Sequence, residues 1–173
     1  DDHPWVTPAE LSSFSTTPSY QETMDWLEEL AVSTEMISIR TIGTSAQHRP
    51  IKMVVASVES ALHERNFDYV KNPIILVQAG IHSGEIDGKD AGMMLLRDIV
   101  HGGKSSLLDS VSLLFIPILA VDAHEKASPF NRPNQRGPQN MGWRTNARNL
   151  NLNRDYTKLE TEGIRAALYV INT

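Results

Sequence analysis

Residues 73–85 read PIILVQAGIHSGE, and the fold turns on how this stretch is read. Pro73 to Ala79 is short and almost wholly apolar, which predicts a strand buried on both faces. Downstream, Ala91, Leu95 and Ile99 fall on one helical face, and Gly102-Gly103 ends the pattern. A strand, a short loop and a helix in that order place His82 just past a strand's C-terminal end and Glu85 just before a helix. Ligands of open α/β sheets bind at that edge. His82 and Glu85 have the side chains of two metal ligands, whereas a catalytic zinc usually takes three protein ligands and keeps one position open. The plainer reading is a loop histidine followed by a helix N-terminal acid.

A second element lies about seventy residues on, reading RTNARNLNLNRD from Arg144 to Asp155. The cations Lys126, Arg132, Arg136, Arg144, Arg148 and Arg154 are uninterrupted by any Asp or Glu. They form a cationic island in a chain of net charge -5. Arginine suits bidentate recognition of carboxylates. Ser128 to Asn149 has no clear period, and an aperiodic loop of that length in a compact domain is usually functional or disordered. For Arg132, Arg136 and Arg148 the expectation is a solvated loop with no specific role. Nucleic acid is not an expected partner, because the net charge is negative and Phe130 and Trp143 are the only nearby aromatics.

Taken together and in this order, the elements resemble those of the zinc-dependent metallocarboxypeptidases. GIHSGE resembles that family's His-x-x-Glu element, and Leu152-Asn153-Arg154-Asp155-Tyr156 resembles its Leu-Asn-Arg element. The resemblance covers roughly Ile74 to Tyr156. It implies that His82 and Glu85 bind one Zn2+, that Asn153 and Arg154 grip a substrate's terminal carboxylate, and that Arg144 polarises the scissile carbonyl. The implied substrate is a peptide with a free C-terminus, and the implied reaction is removal of its C-terminal residue. Phe115 to His124 resembles the strand and turn that usually reads Asn-Pro-Asp-Gly, from which Ala120, Val121 and Ala123 depart.

The family's third zinc ligand is a later His, and its general base is a Glu beyond that. After Arg154 this chain has Glu160 and Glu162, which read as helix N-terminal acids, and no His. His101 and His124 come too early. The third ligand is therefore expected beyond Thr173, and the chain alone is expected to be truncated and inactive. Two alternatives stand beside the carboxypeptidase. One is a related zinc deacylase of N-acyl amino acids. The other is a non-catalytic module that binds carboxylate-ended peptides.

The remaining features fit an α/β domain. At 173 residues, with 40% hydrophobic and 21% charged residues, the chain can bury a sizeable core. It has no apolar run long enough to span a membrane. Zero Cys excludes disulfides and thiolate metal sites. The first residue is Asp, so a removed secretory signal is one explanation, and a secreted or periplasmic location is expected, with the cytoplasm as the alternative.

Residues 1–18 read as an extended lead-in, and 19–173 as the N-terminal portion of one catalytic domain. Ser19 and Glu22 form a capping box for a helix whose stripe is Tyr20, Met24, Leu27 and Ala31. Met36–Ile42 and Ile51–Ser57 are expected to form a hairpin, Asp68–Asn72 a connector, Val111–Leu119 a strand, and Ile164, Leu168 and Ile171 the stripe of a last helix. The expected fold class is α/β, a mixed and mostly parallel sheet covered by helices on both faces.

Overall fold

The computed structural model describes residues 5–65 and 69–172. The lead-in's first four residues, Asp68 of the connector and Thr173 fall outside them. The lead-in is not extended throughout. Pro8–Leu11 forms a helical turn, α1, because Thr7 and Glu10 make a reciprocal capping box with Pro at the first helical position. Helix α2, Tyr20–Val32, starts at the expected Ser19–Glu22 box and buries Met24, Leu27 and Leu30.

Strands β1, Ile37–Thr44, and β2, Pro50–Ala56, pair antiparallel with Ile37 opposite Ala56. Helix α3, Ser60–His63, precedes β3, Ile74–Gln78. Helix α4, Asp87–Val100, leads through a 3-10 turn to β4, Ser112–Ile116. Helix α5, Val121–Glu125, follows at once, and α6, Glu162–Ile171, closes the described chain. The four strands lie in the order β1-β2-β4-β3.

The sheet is mixed, as expected, but not mostly parallel. β1–β2 and β2–β4 are antiparallel, and only β3–β4 is parallel. Helices cover both faces. Alternation along β2 sends Met53 and Val55 to one side with Ile116, Ile164 and Ala167, and Val54 and Ala56 to the other with Leu27, Met93, Leu96 and Phe115.

Three expectations about burial are corrected. β3 is not buried on both faces. It is the sheet's edge, pairing only with β4 among the described residues, and Ile75 is 51% exposed. The inward stripe of α4 is Met93, Leu96 and Ile99, while Ala91 and Leu95 face out. α4 starts at Asp87, and its inner face carries the buried pair Lys89–Asp90 as well as the apolar stripe. The helix does stop where Gly102-Gly103 predicts, with Gly103 at φ +75°. The last helix buries Ile164, Ala166 and Ala167, and Ile171 is exposed. No helix among the described residues is long and apolar enough to cross a membrane.

Candidate functional site

The loop after β3 is shaped by Gly80. Its φ is +63°, where a Cβ is strained, and a Cβ there would stand 3.1 Å from the Ile118 Cα. Backbone bonds lock this corner to the end of β4, since the Leu119 N–H donates to Ala79 O at 3.0 Å and the Ala120 N–H to Gly80 O at 3.0 Å. The Ser83 hydroxyl donates to Ala120 O at 2.7 Å. The loop carrying His82 is therefore held against the start of α5.

His82 is buried, and its Nδ1 lies 3.3 Å from Glu85 Oε1 and 3.4 Å from Oε2. Its Nε2 lies 3.0 Å from Asn151 Oδ1. The Asn153 backbone N–H also donates to that Asn151 oxygen at 3.0 Å, which fixes the amide's orientation, because an NH2 group there would face the Asn153 N–H, itself a donor. Nε2 must then carry the proton donated to Asn151. The lone pair of a neutral His82 is left on Nδ1, facing Glu85.

Glu85 is gripped by cations. Arg132 donates to its Oε1 at 2.8 Å, and an Arg144 nitrogen lies 3.9 Å from the same oxygen. Burial works to raise its pKa, but the Arg132 hydrogen bond and the neighbouring positive charges outweigh it, so its carboxyl ionises below the usual value. Arg132 had been expected to be a solvated, non-specific side chain. It is instead buried, because residues 131–135 lie over the loop that carries His82, with Gln135 donating to Gly84 O at 3.0 Å. A Cβ on Gly84 would come within 2.7 Å of Arg132 Cγ, so glycine there lets the arginine pass. Arg148 also has specific partners, donating to Glu162 Oε1 at 2.8 Å and to Glu160 O.

The structure brings His82, Glu85 and Arg144 together. Asn153 and Arg154 occupy a 3-10 turn, Leu152–Arg154, tied to His82 through Asn151. Both are exposed, and Arg154 donates to the Asn153 carbonyl at 2.9 Å. His124 faces elsewhere. It is buried in α5 with Nδ1 2.9 Å from Glu125 Oε1, and burial holds its imidazole below the ordinary pKa despite that partner. His101 is structural, stacked on Trp5 and bonded to Ser33. Among the described residues, no three His, Cys, Asp or Glu side chains are grouped to hold a metal.

Residue-type reasoning missed Arg132 and Asn151. Asn151 had a usable signal, since it sits two positions before Asn153 in a run of asparagines. Arg132 had none, because its partner is 47 positions away.

The departures Ala120, Val121 and Ala123 leave Asp122 in place, and it has a role. The buried Asp122 carboxylate accepts from the Ser45 hydroxyl at 2.8 Å, the Gln47 N–H at 3.1 Å and Arg49 at 2.8 Å, pinning the hairpin tip to α5.

Residues 23–167 match the family model described as zinc carboxypeptidase. No curated protein sequence matches the chain. Similar solved structures include a metallo-carboxypeptidase from Burkholderia cenocepacia, with TM-score 0.68 and 17% identity over 90% of this chain and 38% of that one. A metallo-carboxypeptidase from Pseudomonas aeruginosa, in complex with (2-guanidinoethylmercapto)succinic acid, has TM-score 0.63 and 18% identity over 90% and 36%. A carboxypeptidase A candidate from Shewanella denitrificans has TM-score 0.69 and 20% identity over 91% and 38%. At these identities the likeness concerns the fold. The chain spans under two-fifths of the length of each.

Proposed function

The chain belongs to the zinc carboxypeptidase family, and from that premise we propose that it contributes two metal ligands and a substrate clamp to a zinc-dependent carboxypeptidase. In this reading residues 19–173 are the N-terminal portion of the catalytic domain. His82 and Glu85 hold the ion, Arg144 faces the scissile carbonyl, and Asn153 with Arg154 binds the substrate's free C-terminal carboxylate.

The observation that carries the proposal is the pairing of His82 Nδ1 with Glu85. Two atoms bound to one tetrahedral zinc at about 2.0–2.1 Å stand roughly 3.3 Å apart. The observed separations are 3.3 and 3.4 Å. Asn151 supports the reading further, because a metal-ligating histidine normally donates its other ring N–H to an oxygen that fixes the tautomer. The donor set, one imidazole and one ionised carboxylate, suits zinc. The described residues supply these two ligands and no third.

When bound, zinc supplies Lewis-acid polarisation of the substrate carbonyl and of water. The chain's own contribution is charge and orientation. Arg144, close to Glu85, is placed to stabilise negative charge developing on the carbonyl oxygen. Arg154 is exposed, and among the described residues its guanidinium is held only through a backbone carbonyl, so its other N–H groups are open to a carboxylate. The buried Asp155 carboxylate behind it accepts from the Thr161 hydroxyl and N–H and keeps this turn against α6.

The clamp is tested by Arg154→Ala in the full-length protein, assayed on matched peptides with free and amidated C-termini. Loss of a charged hydrogen bond worth about 1.5–3 kcal/mol predicts a roughly 10- to 150-fold fall in kcat/KM on free-acid peptides. The preference for the free C-terminus should collapse with it. Equal losses on both peptides would remove Arg154 from the clamp.

A further inference from the structure

We infer that Arg132 is a positioning residue for the Glu85 carboxylate, fixed by its own loop so that Glu85 is held in place to share an ion with His82. The inference rests on reading His82 and Glu85 as metal ligands.

The Glu85 side chain is 46% exposed, whereas that of His82 is only 6% exposed. His82 is immobilised by burial and by Asn151. Glu85 has no comparable packing, and a long carboxylate side chain in partial contact with solvent samples several rotamers. What restrains it is Arg132, whose donation to Oε1 spans 2.8 Å. Arg144 is too far for a hydrogen bond, at 3.9 Å, and is itself half exposed.

Arg132 is in turn rigid. Its side chain is nine-tenths buried, it threads over Gly84, and the Gln135 N–H donates to its carbonyl at 3.0 Å. Gln135 also reaches back to Gly84 O. The metal-side loop and residues 131–135 are therefore mutually braced, and the guanidinium is delivered to one oxygen of one carboxylate.

A purely structural role fits poorly. The Arg132 NH1 group is buried and has no acceptor among the described residues. Packing alone does not call for a buried charge, whereas the charge-assisted donation from Arg132 NH2 to Glu85 does. Placing the guanidinium at Glu85 is what the arrangement achieves.

The test is zinc affinity of the full-length, chelator-stripped protein, measured by competition with a chromophoric chelator. Arg132→Met should lose about 10- to 100-fold in affinity, the range typical of groups that orient a metal ligand. Arg132→Lys keeps the charge but not the planar fork, and should recover part of that loss. Thermal unfolding of the metal-free variants separates this effect from misfolding, and if the Met variant does not fold the Lys variant decides, with a measurable loss expected.

Affinity within twofold of wild type, or tighter binding because a competing cation has been removed, would overturn the inference. His82→Ala is the companion control. If it abolishes zinc binding while the Arg132 variants bind normally, only the positioning role falls. If it too binds normally, the metal site itself has been misread and the inference falls with it.

Discussion

Asp155 joins the proposed substrate clamp to the last helix, and its replacement gives a sharp prediction. The carboxylate is 4% exposed and accepts three hydrogen bonds: the Thr161 hydroxyl at 2.6 Å, the Thr161 N–H at 2.7 Å and the Glu160 N–H at 2.9 Å. Thr161 is fully buried and caps α6, so its donors cannot turn to water. Hydrogen bonds to a charged group contribute about 1.5–3 kcal/mol each, but three sharing one carboxylate are not additive, so Asp155→Ala should cost about 3 kcal/mol. At about 2–4 °C per kcal/mol for a chain of this size, that lowers Tm by about 6–12 °C.

The pH dependence of this loss has a definite sign. Burial pushes the Asp155 pKa up, but the Thr161 and Glu160 hydrogen bonds outweigh it and hold the carboxyl below its ordinary value. A depressed folded pKa contributes stability that is complete above the unfolded value of about 3.9 and is lost as pH falls through the folded value. Urea unfolding of wild type and Asp155→Asn at pH 7, 5, 4 and 3 should therefore show a gap that is constant at the first two and narrows toward the last. Equal stability at pH 7, or a gap that does not narrow in acid, would refute the reasoning.

Lys89 is 1% exposed and ion-paired to Asp90 at 2.9 Å, with a further bond to Pro18 O. Lys89→Met leaves a buried carboxylate with, among the described residues, only the Thr17 hydroxyl, and should cost about 3–5 kcal/mol in urea unfolding. The double variant Lys89→Met with Asp90→Leu should recover much of that, and no recovery would argue against the pair. Gly80→Ala should cost at least about 1–2 kcal/mol from its left-handed φ alone, more because backbone atoms of Ile118 and Pro117 cannot retreat. An unchanged Tm would show that this corner is looser than described.

How far the fold could be read from residues varied with the physics of each signal. Local chemistry was legible. The Ser19–Glu22 box and the Gly102-Gly103 stop act over a few residues, and both are where they were expected. The β1–β2 hairpin was legible for the same reason. The burial of β3 was not, because an apolar run records what a strand can bury and not which neighbours cover it. The face of α4 was misread because Lys89 and Asp90, charged residues, are turned inward and held as a pair.

At the site, His82, Glu85, Arg144 and the Asn153–Arg154 turn could be named from side-chain chemistry and order. The partners that orient them could not. Arg132 and Asn151 act through contacts 47 and 69 positions away; the run of asparagines around Asn151 hints at a role there, but nothing in the neighbours of Arg132 marks its contact. The extended reading of the lead-in failed on a smaller point. Thr7 and Glu10 make the same reciprocal cap that was recognised at Ser19, and it is enough to wind Pro8–Leu11.

The central claim is that His82 and Glu85 share one zinc ion. Diffraction from crystals of the full-length protein, recorded on both sides of the zinc absorption edge, tests it most directly. A single anomalous peak is expected within bonding distance, about 2.0–2.2 Å, of both His82 Nδ1 and a Glu85 carboxylate oxygen, with His82 Nε2 still on Asn151. A peak bound through Nε2, a peak held by other residues, or no peak between these two side chains at saturating zinc would contradict it.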